Sequence, residues 1–381
     1  MSADGYQRTE FREQRTTFSE QISKVVSCQS SSVACLETPV NTPRLVLAAT
    51  ALLASTALAA CGSSADGAKA SADGGAGGKA DVVLRLPDPG NNGFLARGKK
   101  DGSLDKALAA VHAKVAWTGS AGPFAPAAQA LSADQLDIAQ GSITSAVAAL
   151  AQKPGFKLFA QTAPDGVGEG ILVKNDSPIK TVQDLVGKKV AVSQGGTSEY
   201  LLLKALEKSG VPADKVERVY LRADQTSGVF NSGQVDAWAT WNTFSTPTIA
   251  NAGAHFLVDG KAIGSDNYAV WAVRNGFADK HPEVVKAFYA YLRENGLQEK
   301  ADPAAYLNVF TDSGPTAVTP AEKDIAVNVS RQGAAADAIA ESDITRFGTV
   351  AQFFADQKVT KQPVDVKPYL IDINKLGDGA K

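Results

Sequence analysis

From Val82 onward, short apolar runs ending at glycine or proline alternate with longer segments whose apolar residues recur every three to four positions. The first pattern predicts buried strands and the second amphipathic helices. Val82 to Leu86 stops at Pro87 and opens into Asp88-Pro89-Gly90-Asn91-Asn92-Gly93, while Leu104, Leu108 and Val111 set a helix over Ser103 to Ala113. A strand from Lys114 to Trp117, the loop Thr118 to Pro123 and a helix carrying Ala127 to Leu131 follow. Strand Leu136 to Ala139, turn Gln140-Gly141-Ser142 and helix Ile143 to Ala151 repeat the plan. Strands and helices alternating through short loops predict parallel βαβ units.

Two further strands, Phe156 to Gln161 and Gly170 to Val173, bracket Gly166-Val167-Gly168-Glu169-Gly170. The glycines do not form a dinucleotide fingerprint, because the third glycine position is Ile171 and no helix start follows. They read as a flexible crossing between two domains. The pattern restarts at Ser177, with a short helix over Ile179 to Leu185, strand Val216 to Leu221, helix Thr226 to Ser232, and a strand from Val235 running into a helix near Phe244. His255 to Val258 and Ala269 to Val273 are strands, the second returning the chain to the first domain. Helices are predicted over Pro282 to Leu297, Pro303 to Phe310, Pro320 to Val329 and Ile344 to Gln357.

Within this series, Val190-Ala191-Val192-Ser193-Gln194-Gly195-Gly196-Thr197-Ser198-Glu199-Tyr200 reads as a buried strand, a glycine turn and a helix start. Such a junction aims unpaired backbone N–H groups and the positive end of a helix dipole at one point, which suits an anion. The helix that follows carries Leu202, Leu203 and Leu206 on one face and Lys204, Glu207 and Lys208 on the other, and Gly210 and Pro212 close it.

Charge and composition narrow the function. The 381 residues, 44% of them hydrophobic, suffice for more than one core. Lys and Arg number 38 against 40 Asp and Glu, with no basic block, so a nucleic-acid face is excluded and anion selectivity must be local. Cys28, Cys35 and Cys61 form no metal-ligand spacing, and no cysteine follows Cys61. No G-x-S-x-G elbow, H-E-x-x-H motif or Cys/His/Asp cluster occurs, so neither a cofactor nor a metal is implied. The three histidines, His112, His255 and His281, sit at helix ends or in loops and read as structural or exposed.

The N-terminal part reads as an address. Arg44 precedes an uncharged Ala- and Leu-rich run, Leu45 to Ala60, that ends in Leu58-Ala59-Ala60-Cys61. The run is shorter than the ~20 residues a spanning helix needs, but right for a signal-peptide core. Ending in small residues and Cys61, it resembles a bacterial lipobox, which implies cleavage before Cys61 and a lipid on its sulfur. Gly62 to Lys79 is Gly, Ser, Ala, Asp and Lys, a tether of about 25 Å reach by random-coil scaling. The expected division is a polar leader over 1–43, signal peptide 44–60, tether 61–80, first lobe 81–175 with 268–381, and second lobe 176–267. A leader ahead of the signal conflicts with it. Since Met1 is the only methionine, an internal start such as Val40 resolves the conflict.

An ordered set of blocks carries a resemblance. These are S-A-G-P-F-A-P-A-A-Q-A-L, L-D-I-A-Q-G-S-I-T-S-A-V, G-G-T-S-E-Y-L-L-L-K-A-L-E-K-S-G-V, G-Q-V-D-A-W-A-T-W-N-T-F, N-Y-A-V-W-A-V and F-A-D-K-H-P-E-V-V-K-A-F. From Asp81 to about Val366 the chain resembles the substrate-binding lipoproteins of ABC importers, in the branch for aliphatic sulfonates, taurine and nitrate. The resemblance implies an α/β fold of periplasmic-binding-protein type II: two lobes, each a mixed, mainly parallel sheet flanked by helices, with ligand in the cleft between them. It also implies a monomer outside the cytoplasmic membrane, a membrane permease as partner, and no enzymatic activity.

The positions matching the family's cleft are Ser120, Gly122, Gly141, Ser142, Gly196, Thr197, Ser198, Trp241, Asn242 and Tyr268. Gly196, Thr197 and Ser198 would donate N–H and hydroxyl bonds to oxyanion oxygens. Trp241 would wall the apolar part and Asn242 would bond the far end, with Trp238 in the core. Asn242 stands where the family commonly has aspartate. Glu199, in the first turn of the anion-binding helix, would repel an anion unless it turns to solvent. Two other readings stay open: a binder of a neutral or heterocyclic nutrient on the same fold, and an exported enzyme.

Overall fold

The structure, a computed structural model, describes residues 81–163 and 165–378. The leader, the signal run, Cys61 and the tether lie outside the described residues. In chain order the elements are β1 Val82–Asp88, α1 Phe94–Asp101, α2 Ser103–Ala109, β2 Ala113–Ser120, α3 Phe124–Ser132, β3 Ile138–Ser142, α4 Ile143–Leu150, β4 Phe156–Thr162 and β5 Gly170–Lys174. Next come β6 Lys189–Val192, α5 Thr197–Lys208, β7 Glu217–Tyr220, α6 Ala223–Asn231, β8 Ala237–Thr240, α7 Asn242–Asn251, β9 Ala254–Asp259 and α8 Gly260–Ile263. The chain ends with β10 Ala269–Arg274, α9 Asn275–Lys280, α10 Pro282–Ala301, α11 Pro320–Gln332, β11 Ala336–Asp337 and α12 Glu341–Asp356.

Two sheets organise these elements. The first has the order β11-β4-β10-β3, with the parallel pair β1-β2 alongside. The second has the order β7-β6-β8-β5-β9. Their strands are apolar on both faces, as the continuous runs Val190-Ala191-Val192 and Ala237-Trp238-Ala239 require, and helices cover them.

The expectation of mainly parallel sheets is corrected. β10 lies antiparallel between β3 and β4, so every pairing in the four-stranded sheet is antiparallel. In the second sheet β6 pairs parallel with β7 and β8, whereas β5 pairs antiparallel with β8 and β9. The reason is connectivity: β5 and β10 are the strands by which the chain enters and leaves the second sheet, and each returns against its neighbours. The boundary expected at residue 175 also moves, because β5 belongs to the second sheet.

Two local expectations change as well. Phe94–Asp101 is a helix, and its glycine-broken flanks hid it from periodicity. Pro303–Tyr306 is a single tight turn rather than a helix to Phe310, the chain leaving it at Asn308 with φ 53°.

α5 is buried almost all round: Leu201, Leu202, Leu203, Ala205 and Leu206 are all inaccessible. It packs on the second sheet, while Tyr200 meets Phe353 and Phe354 of α12 edge-on at 5.3 and 6.1 Å. α12 also packs on α4. One apolar cluster therefore runs from Phe124 and Val147 under the first sheet, through Phe354, to Leu203 and Val190 under the second.

Candidate functional site

Four helices, α3, α4, α5 and α7, begin directly after a strand or its loop, and their N-terminal ends wall one cleft of about 1890 Å3 between the two sheets. This is where open α/β sheets hold ligands, at the carboxyl ends of strands.

On the side of the second sheet, β6 ends in Ser193-Gln194-Gly195-Gly196. Gly195 turns the chain with φ +63°, a conformation costly to any residue with a Cβ. Ser198 and Glu199 then fold back on that turn: the Ser193 N–H donates to Ser198 Oγ at 2.6 Å and the Gly195 N–H to Glu199 Oε2 at 2.7 Å. The first-turn N–H groups of Thr197, Ser198 and Glu199 have no acceptor among the described residues. Unpaired N–H groups at the positive end of a helix dipole are an arrangement suited to an anion.

Opposite, Ser142 caps α4 by accepting the Ser145 N–H at 3.2 Å. The two helix ends meet through hydroxyls. Thr197 Oγ1 donates to Ser142 Oγ at 2.9 Å and lies 3.2 Å from Thr144 Oγ1. Ser142 passes its proton to Ser145 Oγ at 2.9 Å, and Thr144 donates to Asn267 Oδ1 at 2.9 Å. Asn267 in turn donates to Glu169 Oε2 at 2.7 Å, and Ser265 donates to Glu169 Oε1 at 2.6 Å.

At the third corner, Trp241 precedes α7 and stacks edge-on against Phe244 at 5.1 Å, while Asn242 Oδ1 accepts the Thr243 N–H at 2.9 Å. Tyr268 stands in the cleft wall, its ring beneath the Arg346 guanidinium and edge-on to Phe347. Its hydroxyl is buried with no partner among the described residues, and burial holds the phenol well above its usual range.

Of the positions expected from sequence, Gly122, Gly141, Ser142, Gly196, Thr197, Trp241, Asn242 and Tyr268 all line this cleft. Ser120 does not: it ends β2, exposed and away from the lining. The Ser198 side chain is spent inside the turn, which leaves only its N–H available. Trp238 is in the core, against Phe230 and Phe244. Glu199 is not turned to solvent. It is 2% exposed, with Oε1 accepting from Arg218 Nη1 at 3.0 Å and from Tyr220 Oη at 2.6 Å. Its charge is thus balanced behind the turn rather than presented to the cleft. Sequence reasoning missed Thr144, Ser145, Asn267 and Glu169. The hydroxyl run Ser142-Ile143-Thr144-Ser145 at a helix start was the available signal for two of them.

A two-lobed α/β body whose cleft is walled by helix N-termini has the fold of the periplasmic substrate-binding proteins. Residues 122–304 match the family described as NMT1/THI5 like. It is 27% identical over 271 residues to a putative aliphatic sulfonates-binding protein of Bacillus subtilis, covering 71% of this chain and 80% of that one. It is 31% identical over 212 residues to a putative aliphatic sulfonates-binding protein of Escherichia coli, covering 52% of this chain and 65% of the relative. Among solved structures, the alkanesulfonate-binding protein of Xanthomonas axonopodis pv. citri bound to MOPS superposes with a TM-score of 0.68 at 22% identity, over 77% of this chain and 99% of that one. A desulfurization enzyme shares the fold at a TM-score of 0.56 and 17% identity, over 79% of this chain and all of the other.

Proposed function

We propose that this chain is the extracytoplasmic solute-binding component of an ABC importer, and that it captures a small organic oxyanion of the aliphatic sulfonate or taurine type and delivers it to a membrane permease. The observation that carries this reading is the meeting of the α4 and α5 N-termini, where hydroxyls of Ser142 and Thr197 and free N–H groups of Thr197 and Ser198 converge. In this reading Gly122, Gly141 and Gly196 let backbone approach the ligand, Trp241 walls its apolar part and Asn242 bonds its far end. A cleft of about 1890 Å3 exceeds the ~300–1,000 Å3 of most small-ligand sites. That size supports an open state which closes as the lobes rotate over the ligand.

Binding without chemistry is supported by the sulfonate-binding relatives and by a wall that holds none of His112, His255 and His281. The lipobox-like run ending at Cys61 and the tether behind it support anchoring to the outer face of the cytoplasmic membrane. A second reading, a neutral or heterocyclic nutrient, is favoured by the amide of Asn242 and the carboxyl of Glu169 in the same wall.

Titration calorimetry and thermal shift with ethanesulfonate, taurine, nitrate and a pyrimidine precursor test the choice. A sulfonate is expected to bind and to raise the melting temperature. Ser142→Ala and Thr197→Ala are each expected to weaken it about ten- to a hundredfold. A response to the heterocycle alone would overturn the sulfonate assignment in favour of the second reading.

A further inference from the structure

Glu169 stands one residue before β5, where the chain passes from the first sheet to the second, and its carboxyl forms part of the cleft wall at only 7% exposure. No cation among the described residues is paired with it. The charged and titratable groups around it are Asp165 on the same crossing, Tyr200 of α5, Asp259 and Lys261 at the β9–α8 corner, and Asp266 with its partner Arg346 of α12. Lys261 directs its ammonium to Gln332, and Arg346 lies 3.4 Å from Asp266. A carboxylate here relies on two neutral donors, Ser265 and Asn267. Burial pushes its carboxyl up to about 7.

The hydrogen bonds from this carboxyl to the anion donors have a direction. An ionised Glu169 only accepts, so Asn267 turns its NH2 toward it and its oxygen toward Thr144. The Thr144 proton is thereby drawn inward, away from Thr197. A proton on Glu169 Oε2 makes that oxygen a donor while Oε1 goes on accepting from Ser265. The Asn267 amide then turns over, its oxygen accepting from Glu169 and its NH2 giving to Thr144. That frees the Thr144 proton to point at Thr197 Oγ1, 3.2 Å away, on the cleft side. Protonation therefore turns the buried Thr144 proton onto Thr197 Oγ1, which leaves the cleft-lining Thr197 hydroxyl a better donor, and removes one negative charge from the wall. Both changes favour an anion.

We propose that Glu169 is a positioning residue for the oxyanion site, acting through Asn267 and Thr144, so that the anion binds together with one proton taken from solvent onto the Glu169 carboxyl. The proposal rests on the oxyanion reading above and adds its proton linkage. By reciprocity, an anion that binds the protonated form more tightly raises the pH at which Glu169 ionises, and its own affinity falls as pH rises.

The test uses the purified full-length chain and ethanesulfonate, in Tris and in imidazole buffers, since sulfonate buffers would compete. Affinity is expected to fall about tenfold between pH 6 and pH 8, with about one proton taken up per anion at pH 8, from the difference in heat between the two buffers. Glu169→Gln, which cannot ionise and carries its own NH2, is expected to bind equally at both pH values with no proton uptake. Infrared difference spectra of the ligand-free chain supply an independent readout: a protonated-carboxyl band present at pH 6 and lost by pH 8, and absent from Glu169→Gln. Should that variant not fold, the wild-type band and the wild-type pH profile still decide. Tight sulfonate binding that ignores pH, or a carboxyl already ionised at pH 6, overturns the proton linkage and leaves the proposed function standing. Failure of ethanesulfonate to bind at either pH overturns the functional reading and this proposal together.

Discussion

Glu199 shows how far a single residue's meaning depends on partners that are remote in sequence. In the chain it is an acid in the first turn of the helix proposed to hold an anion, a repulsive placement. In the fold it accepts from the Gly195 N–H, Arg218 and Tyr220, and so braces the turn that aims the free N–H groups. Glu199→Ala leaves a half-buried N–H, a phenol and a guanidinium without their acceptor. The expected loss is about 2–4 kcal/mol of stability, read from urea unfolding, together with weaker anion binding. Unchanged stability would show that the bracing is not real. Ser142 and Thr197 were legible in the sequence because a hydroxyl at a strand-turn-helix junction has few places to point. Glu169 and Asn267 were not, because their bond joins positions 98 residues apart and no periodicity reports such a meeting.

At the level of elements, the alternation of apolar runs predicted most strands and helices within a few residues, and the β6-turn-α5 unit was visible whole. What the pattern does not carry is which strand lies beside which. β5 and β10 look like any other apolar run, yet each is inserted antiparallel in its sheet. The glycine-rich crossing before β5 was recognised as a link, but its final glycine has a specific task. Gly170 has φ +155° and pairs so closely with β9 that a Cβ would strike the Val258 carbonyl and the Asp259 Cα. Backbone atoms cannot rotate out of the way. Gly170→Ala is therefore expected to cost about 2–4 kcal/mol, whereas alanine at exposed Gly348 inside α12 is expected to gain about 0.5–1 kcal/mol. Equal effects of the two substitutions in chemical denaturation would refute the close-approach argument.

On the scale of the whole molecule, the cleft separates two sheets that share one apolar core. The joint is α12, which packs on α4 beside the first sheet and through Phe353 and Phe354 on Tyr200 of α5. If the lobes close as proposed, a joint built this way lets the cleft walls move while it stays packed, because interdigitated side chains hold their arrangement under small rotations. It also couples the halves energetically, since neither sheet buries its inner face without the shared cluster. Unfolding should accordingly be a single transition. Tryptophan fluorescence and far-ultraviolet circular dichroism should report one midpoint, because Trp117 and Trp271 lie with the first sheet and Trp238 and Trp241 with the second. Phe354, fully buried at the joint, provides the sharper case. Phe354→Ala opens a cavity that neither half can fill alone and is expected to remove about 3–5 kcal/mol while the two probes remain coincident. If the midpoints instead separate in the wild-type chain, the halves fold independently and the shared core is a contact rather than a coupling. If they separate only in the variant, the coupling resides in α12, and sulfonate affinity should fall with it because the two helix ends no longer hold a common register.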